Sequence, residues 1–355
     1  MKNKDANLPD KLEQSPDLFH RVSLIIEEAK NKIVHSVNQT MVQTYWQIGK
    51  EIIEEEQKGE VRAEYGRYII DNLSKELIKK YGKGFNSRNL RAMRQFYKFY
   101  QNWISVRSKL SWTHYRILIR IDEPAKRSFY EVETITNNWS TRELDRQINS
   151  LLFERLALSK DKEGLLSLAR DGQVLANPED IVKDPYVLEF LGLPHNEKLY
   201  EKDLESALLE HLQQFLLELG KGFSFVARQK RITMDDENFY IDLVFYNYIL
   251  KCFVLIDLKI GRLTHQDLGQ IQMYVNYYKR EMINDGDNDP IGIVLCADKS
   301  DAVVKYTLPE DNRQIFASRY KLYLPTEEEL INEILKEKSL IELYKENDSE
   351  PWLQD

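Results

Sequence analysis

Phe239-Tyr240-Ile241-Asp242-Leu243-Val244-Phe245-Tyr246-Asn247-Tyr248-Ile249-Leu250-Lys251-Cys252-Phe253-Val254-Leu255-Ile256-Asp257-Leu258-Lys259 is the stretch on which both fold and chemistry turn. Two runs rich in β-branched and aromatic residues, 239–246 and 252–259, flank a turn near Ile249 and Leu250 and read as a β-hairpin. Asp242 then lies opposite Asp257. Directly opposed residues have Cβ atoms on the order of 5 Å apart, where like charges repel unless something neutralises them. Strand side chains alternate faces, so Asp257 and Lys259 share a side while Leu258 points away. Magnesium prefers oxygen ligands and keeps several waters; Asp242, Asp257 and the Leu258 carbonyl suit it, or Mn2+, and leave room for a phosphate. Such an ion lowers the pKa of a bound water and stabilises charge in the transition state, with Lys259 orienting that water. The expected reaction is hydrolysis of a phosphodiester.

Upstream, residues 203–219 read as an amphipathic helix in which Glu205 shares a stripe with Leu208, Leu209, Leu212 and Leu216. A carboxylate facing a core is costly without a partner, so Glu205 is the expected fourth member, as metal ligand and catalytic group. A strand at 223–228 precedes the hairpin; a helix at 265–279 and strands at 291–296 and 316–324 follow it. An α/β sandwich is the simplest architecture. Acids at strand ends commonly mark nothing more than a solvated edge. Here both aspartates interrupt apolar runs, where an unpaired charge is expensive.

The first 155 residues read as all helical. Apolar residues recur at helical spacing over 18–58, predicting one long helix or two stacked ones. A second helix, 67–80, ends at Gly82 and Gly84, and a third runs from Asn86 or Ser87 to about residue 103. Further helices start at Ser111 and at Ser140, which has capping-box spacing to Glu143. The chain of 355 residues is long for one domain. It divides into a polar segment (1–17), a helical domain (18–158), a connector rich in Lys, Asp, Gly, Asn and Pro (159–184), the α/β domain (185–330) and an acidic helical tail (331–355).

A net charge of −8 argues against coating nucleic acid through bulk charge, but the distribution is uneven. Between Lys79 and Arg127 the only acids are Asp122 and Glu123, within a run of lysines and arginines. Arg88, Arg91, Arg94 and Lys98 fall on one face of the third helix, whose other side carries Leu90, Met93 and Phe96. A solvated polar face is the plain alternative, yet one sign of charge favours contact with nucleic-acid phosphates. Two cysteines in apolar surroundings suit reduced thiols, and no paired spacing suggests a zinc site. No apolar run is long enough to cross a bilayer, which points to a cytoplasmic protein with no membrane partner.

A helix glutamate, then Ile-Asp, then Asp-Leu-Lys, then a helix with glutamine resembles the PD-(D/E)XK nuclease superfamily, and more narrowly the bacterial YhcG-like proteins. The segments carrying the resemblance are 204–220, 239–246, 256–261, 269–274 and 291–296, with Tyr45-Trp46-Gln47-Ile48-Gly49, 85–93, 110–115 and Trp139-Ser140 in the helical half. It covers nearly the whole chain. Ile241 stands in place of the nominal proline, and Asp257 where close relatives more often carry glutamate; the superfamily formula permits either acid. The resemblance implies a restriction-endonuclease-like domain, with a central mixed sheet flanked by helices, behind a helix-turn-helix-like, DNA-binding N-terminal domain. It also implies auxiliary roles for Gln270, in catalysis, and Tyr274, toward nucleic acid. DNA is the expected partner, cut by an endonuclease or structure-dependent nuclease. RNA uses the same chemistry, and a catalytically silent DNA-binding or assembly protein is the alternative of a different class. Cutting of two strands would favour a homodimer by symmetry.

Overall fold

The computed structural model describes residues 16–58, 63–102, 110–157, 162–193, 200–326 and 328–329. The acidic tail expected from residue 331 and the segment before residue 16 lie outside the described residues. The chain forms two compact units, residues 1–122 and 123–355.

In the first unit, α1 (Pro16–Lys58) is a single helix of 43 residues, followed by α2 (Ala63–Tyr81), α3 (Ser87–Phe99) and α4 (Trp112–Leu118). Asn86 caps α3, its side chain accepting from the Asn89 backbone N–H, and Gly82 just after α2 has a positive φ of 93° with an extended ψ, a conformation that favours glycine. The third helix stops at Phe99, short of the expected 103. Gly49 lets α1 and α3 touch backbone to backbone: a Cβ there would sit 2.1 Å from the Met93 carbonyl oxygen. Around that contact Ile52, Ile70, Leu90 and Met93 form the core, and Trp46 donates to the Tyr100 carbonyl at 2.6 Å.

The second unit begins with four helices: α5 (Pro124–Thr136), α6 (Thr141–Asn149), α7 (Leu152–Ala157) and α8 (Lys162–Asp171). The Ser140/Glu143 capping box forms as the spacing predicts. The stretch expected to be a connector contains α8, because Leu168 and Ala169 bury beside α5 and α7. Then come β1 (Tyr186–Val187), α9 (Glu201–Glu210), α10 (Leu212–Leu219), β2 (Phe223–Met234), β3 (Glu237–Asn247), β4 (Cys252–Arg262), α11 (His265–Glu281), β5 (Ile291–Asp298), α12 (Asp301–Thr307) and β6 (Ile315–Lys321). The helix expected over 203–219 is therefore two. The break at His211 means that Glu205 and Leu216 do not share one continuous stripe.

The sheet runs β1-β6-β5-β4-β3-β2. Pairs β2·β3 and β3·β4 are antiparallel; β4·β5, β5·β6 and β1·β6 are parallel, so the sheet is mixed. One face packs on α9 and α10 through Leu204, Leu208, Phe215 and Leu219, and the other on α11 through Leu268, Ile271 and Tyr274. Strand β4 is apolar on both faces as far as Ile256, since helices cover both.

A buried ion cluster ties the leading helices to this sandwich. Glu218 at the end of α10 is wholly buried, with Arg155 Nη1 at 2.5 Å, Arg146 Nη1 at 3.3 Å and the Val187 N–H at 2.9 Å. Lys183 donates to the Glu218 carbonyl. Burial alone would raise the Glu218 carboxyl, but Arg155, Lys183 and Arg146 outweigh it and hold the pKa at about 2. Arg146 also meets Glu189 at 2.8 Å, and Lys221 meets Glu133 at 2.8 Å. Residues 124–157 thus pack with the sandwich through contacts that join α6 and α7 to α10, α6 to β1, and α5 to Lys221 in the turn after α10.

Candidate active site

Strands β3 and β4 turn at residues 248–251, and their register brings Leu243 opposite Ile256. Continued by one residue, it would set Asp242 opposite Asp257, but the paired ladder ends at 243/256. In place of a carbonyl from the neighbouring strand, Asp242 Oδ2 accepts from the Leu258 N–H at 2.8 Å. The strands part where the two acids sit, and a side chain takes over the ladder bond.

Asp257 is buried, with only 2% of its surface exposed, and burial is the first cause raising its carboxyl to about 7, against the lowering pull of Lys259. Lys259 Nζ stands 3.1 Å from Asp257 Oδ2, an ion-pair distance, yet no donor meets that oxygen with hydrogen-bonding geometry. Burial works against the charge on Lys259; Asp257 beside it outweighs this, and the ammonium's pKa is raised. Glu201 lies 3.9 Å from the same ammonium.

Glu205 on α9 is buried, and its carboxyl is raised first by burial and further by the nearby charge of Asp242. It meets Asp242 through a residue that the sequence did not single out. Gln229 on β2 donates from Nε2 to Glu205 Oε2 at 2.8 Å and to Asp242 Oδ1 at 2.9 Å. Its backbone has φ 42°, a left-handed value unusual for a side chain other than glycine or asparagine. The irregularity at 225/227 decides which residue takes this place. Up to Phe225↔Phe245 the register would put Arg228 opposite Asp242; one extra residue in β2 moves Gln229 there instead.

Gln270 and Tyr274 lie on α11, which packs on the face of the sheet carrying Leu255, Val294 and Cys296, the side on which Asp257 and Lys259 fall by alternation. Gln270 Nε2 donates to the Tyr274 hydroxyl at 2.6 Å, which donates to the Tyr240 carbonyl at 3.1 Å. They brace β3 two residues before Asp242. Tyr274, expected to face nucleic acid, is wholly buried, so this arrangement gives it a supporting place and no direct contact.

On α3, Arg88, Arg91 and Lys98 are exposed and Arg94 is half-buried. Arg94 pairs with Glu56 at 2.7 Å and Arg91 with Asp71 at 3.2 Å. Part of the basic face is thus occupied within its own unit.

The residues around Asp257 fit a divalent cation. Asp257 Oδ2 is buried with Lys259 as its one cation among the described residues, at 3.1 Å and outside hydrogen-bonding geometry, and an amide N–H already bridges the other two acids. Among the described residues no three His, Cys, Asp or Glu side chains stand close enough to close round one ion. Two aspartates with the Leu258 carbonyl would be the donors to such an ion, and Glu205 would join them only if Gln229 moved.

Comparison with known proteins agrees in kind. Residues 179–336 match the model of the YhcG PDDEXK nuclease domain, and residues 21–155 that of the DUF1016 N-terminal domain. The chain is 37% identical over 350 residues to the Escherichia coli (strain K12) protein named "Putative nuclease YhcG", covering 90% of this chain and 93% of that one. Among solved structures, a repair endonuclease from Pyrococcus abyssi aligns with 37% of this chain and 50% of its own, at 16% identity and TM-score 0.25. An EndoMS complex with double-stranded DNA aligns with 38% of this chain and 50% of its own, at 14% identity and TM-score 0.27. The chain thus spans about half the length of those two structures. No described helix is long and apolar enough to cross a membrane.

Proposed function

Because the chain belongs to the YhcG family of PDDEXK nucleases, we propose that it hydrolyses phosphodiester bonds in DNA with a divalent cation, Mg2+ or Mn2+, as an endonuclease or structure-dependent nuclease. The observation carrying this reading is Asp257: a carboxylate buried beside a second acid, one oxygen without a hydrogen-bond donor, and a lysine two residues on. Asp242, Asp257 and the Leu258 carbonyl would hold the cation, with Glu205 beside them. Bound there, it would acidify a water and neutralise charge on the phosphate.

The protein's own groups do the rest. Lys259, held charged by Asp257, orients the attacking water and balances the developing negative charge. Gln229 keeps Glu205 and Asp242 together by donating to both until a cation takes over that neutralisation. Gln270, through Tyr274, steadies the strand that carries Asp242. Arg88 and Lys98, joined by Arg91 and Arg94 once their acids exchange partners, would contact backbone phosphates of DNA.

The test is a panel of linear duplex, single-stranded and branched DNA, with RNA alongside, incubated with the purified protein with and without Mg2+. Cation-dependent cleavage of DNA that Asp257→Ala abolishes is the expected result. Binding without cleavage under every condition, or equal cutting by the variant, would overturn the reading.

A further inference from the structure

Helix α1 has two halves of opposite character. From Val42 onward it packs into its own unit: Val42 and Ile52 are each 2% exposed. Before that point its apolar side chains face water. Phe19 is 80% exposed and Ile33 65%, and Val22, Ile25, Ile26 and Val37 are exposed as well. Single exposed apolar residues are ordinary; a row of them on one helix marks an interaction site.

The row has a period. Phe19, Val22, Ile26, Ala29 and Ile33 are spaced three, four, three and four, the a/d seam of a coiled coil, with Leu18 and Ile25 flanking it on one side and Val37 on the other; of the exposed apolar residues in this stretch, Leu24 and Val34 lie off the seam. Beyond Ile33 the seam positions become Ser36 and Thr40, and Thr40 satisfies its hydroxyl on the Ser36 carbonyl at 2.9 Å. The apolar block thus ends at about Val37. Charges beside it cancel within the helix: Lys30 pairs with Glu27 at 2.8 Å and Lys32 with Glu28 at 2.7 Å. Two such faces can meet without like-charge repulsion.

We propose that residues 18–37 of α1 form the surface on which a second copy of this chain pairs, helix against helix. An amphipathic helix draws most of its stability from burying its apolar face, and a seam built from one repeating spacing is complementary to itself. The size agrees. Seven large side chains, each removing on the order of 100 Å2 of apolar area, give about 700 Å2, close to the roughly 800 Å2 per partner of a stable interface. The block is centred between Ile26 and Ala29. Two copies that cover each other's block therefore bring these residues together at the two-fold axis, whichever way the helices run.

Light scattering on the full-length protein, without DNA or metal, should give twice the chain mass at micromolar concentration. Ile26→Glu combined with Ile33→Glu should return it to the single-chain mass with its helical circular dichroism kept. Cysteine at Ile26 or Ala29 should cross-link two copies under mild oxidation, whereas Asn31→Cys, on the opposite face, should not; both natural cysteines are buried. A monomeric wild type, a double variant that stays dimeric, or cross-linking at Asn31 instead of the seam would overturn the proposal. None of these readings depends on nuclease activity, so the pairing surface and the catalytic assignment fail separately.

Discussion

Two buried carboxylates in the same α/β unit, Glu218 and Asp257, meet opposite fates. Glu218 is surrounded by Arg155, Arg146 and Lys183, accepts a backbone N–H, and is held at about 2. Asp257 has one lysine, a second acid nearby and an oxygen without a hydrogen-bond donor; burial pushes it to about 7. Charge that is fully matched serves structure, because the protein has supplied every partner. Charge left short of positive partners points to a ligand from outside.

The contrast breaks most sharply at Asp257. Asp257→Ala should lower cleavage on the order of 10³-fold or more while changing the melting temperature little, since removing a carboxyl disfavoured by burial is offset by the loss of the partner of Lys259. A nuclease assay and a thermal melt on one preparation decide it. Glu218→Gln should do the reverse, destabilising by about 3–5 kcal/mol through the uncompensated Arg155 and Lys183, with residual folded protein still able to cleave. Equal stability of this variant in denaturant titration would show that the cluster is not what binds α6 and α7 to the sandwich.

Smaller effects follow from proton linkage. With its pKa raised from 3.8 to about 7, Asp257 in the folded, metal-free protein keeps a proton that the unfolded chain has released. Stability in EDTA should therefore fall as pH rises from about 4 to about 7, the opposite sign to the Glu218 contribution, which is present above about pH 4 and is lost as pH falls toward 2. Binding of Mn2+ must displace the Asp257 proton, so its affinity should weaken by about tenfold per pH unit below 7, and calorimetry in two buffers would read the released proton. The smallest effect belongs to Gln229→Ala. Without the bridging amide, Glu205 and Asp242 repel, so the variant should melt about 2–4 °C lower in EDTA, with the gap closing under saturating Mn2+. A gap that persists in Mn2+ would give Gln229 a purely structural part.

Much of the fold was legible because its signals are local. Helix caps at Asn86, Ser111 and Ser140, the turn near Ile249 and Leu250, and the alternation of the 239–259 hairpin each depend on a few neighbouring residues. The break at His211 and the helix over 162–171 were not visible, since periodicity extends through the first and polar composition hides the second. Family models divide the chain near residues 155 and 179, whereas packing divides it between Asp122 and Glu123. Side chains such as Arg155 and Glu218, 63 residues apart, join the helices to the sheet, and no local pattern announces such a pair.

The sequence by itself determined that Asp242, Asp257 and Lys259 belong to one hairpin, because a period of two and a short turn leave little freedom. Only the tertiary structure decided what faces them. One extra residue in β2 exchanges Arg228 for Gln229 opposite Asp242, and a bulge that reverses the facing of every later side chain is set by pairing with β3 rather than by the strand's own alternation. Whether Asp257 is charged is likewise a property of its surroundings: the same aspartate in a solvated strand end would titrate near its ordinary value, and here the helices covering the sheet remove the water that would keep it ionised.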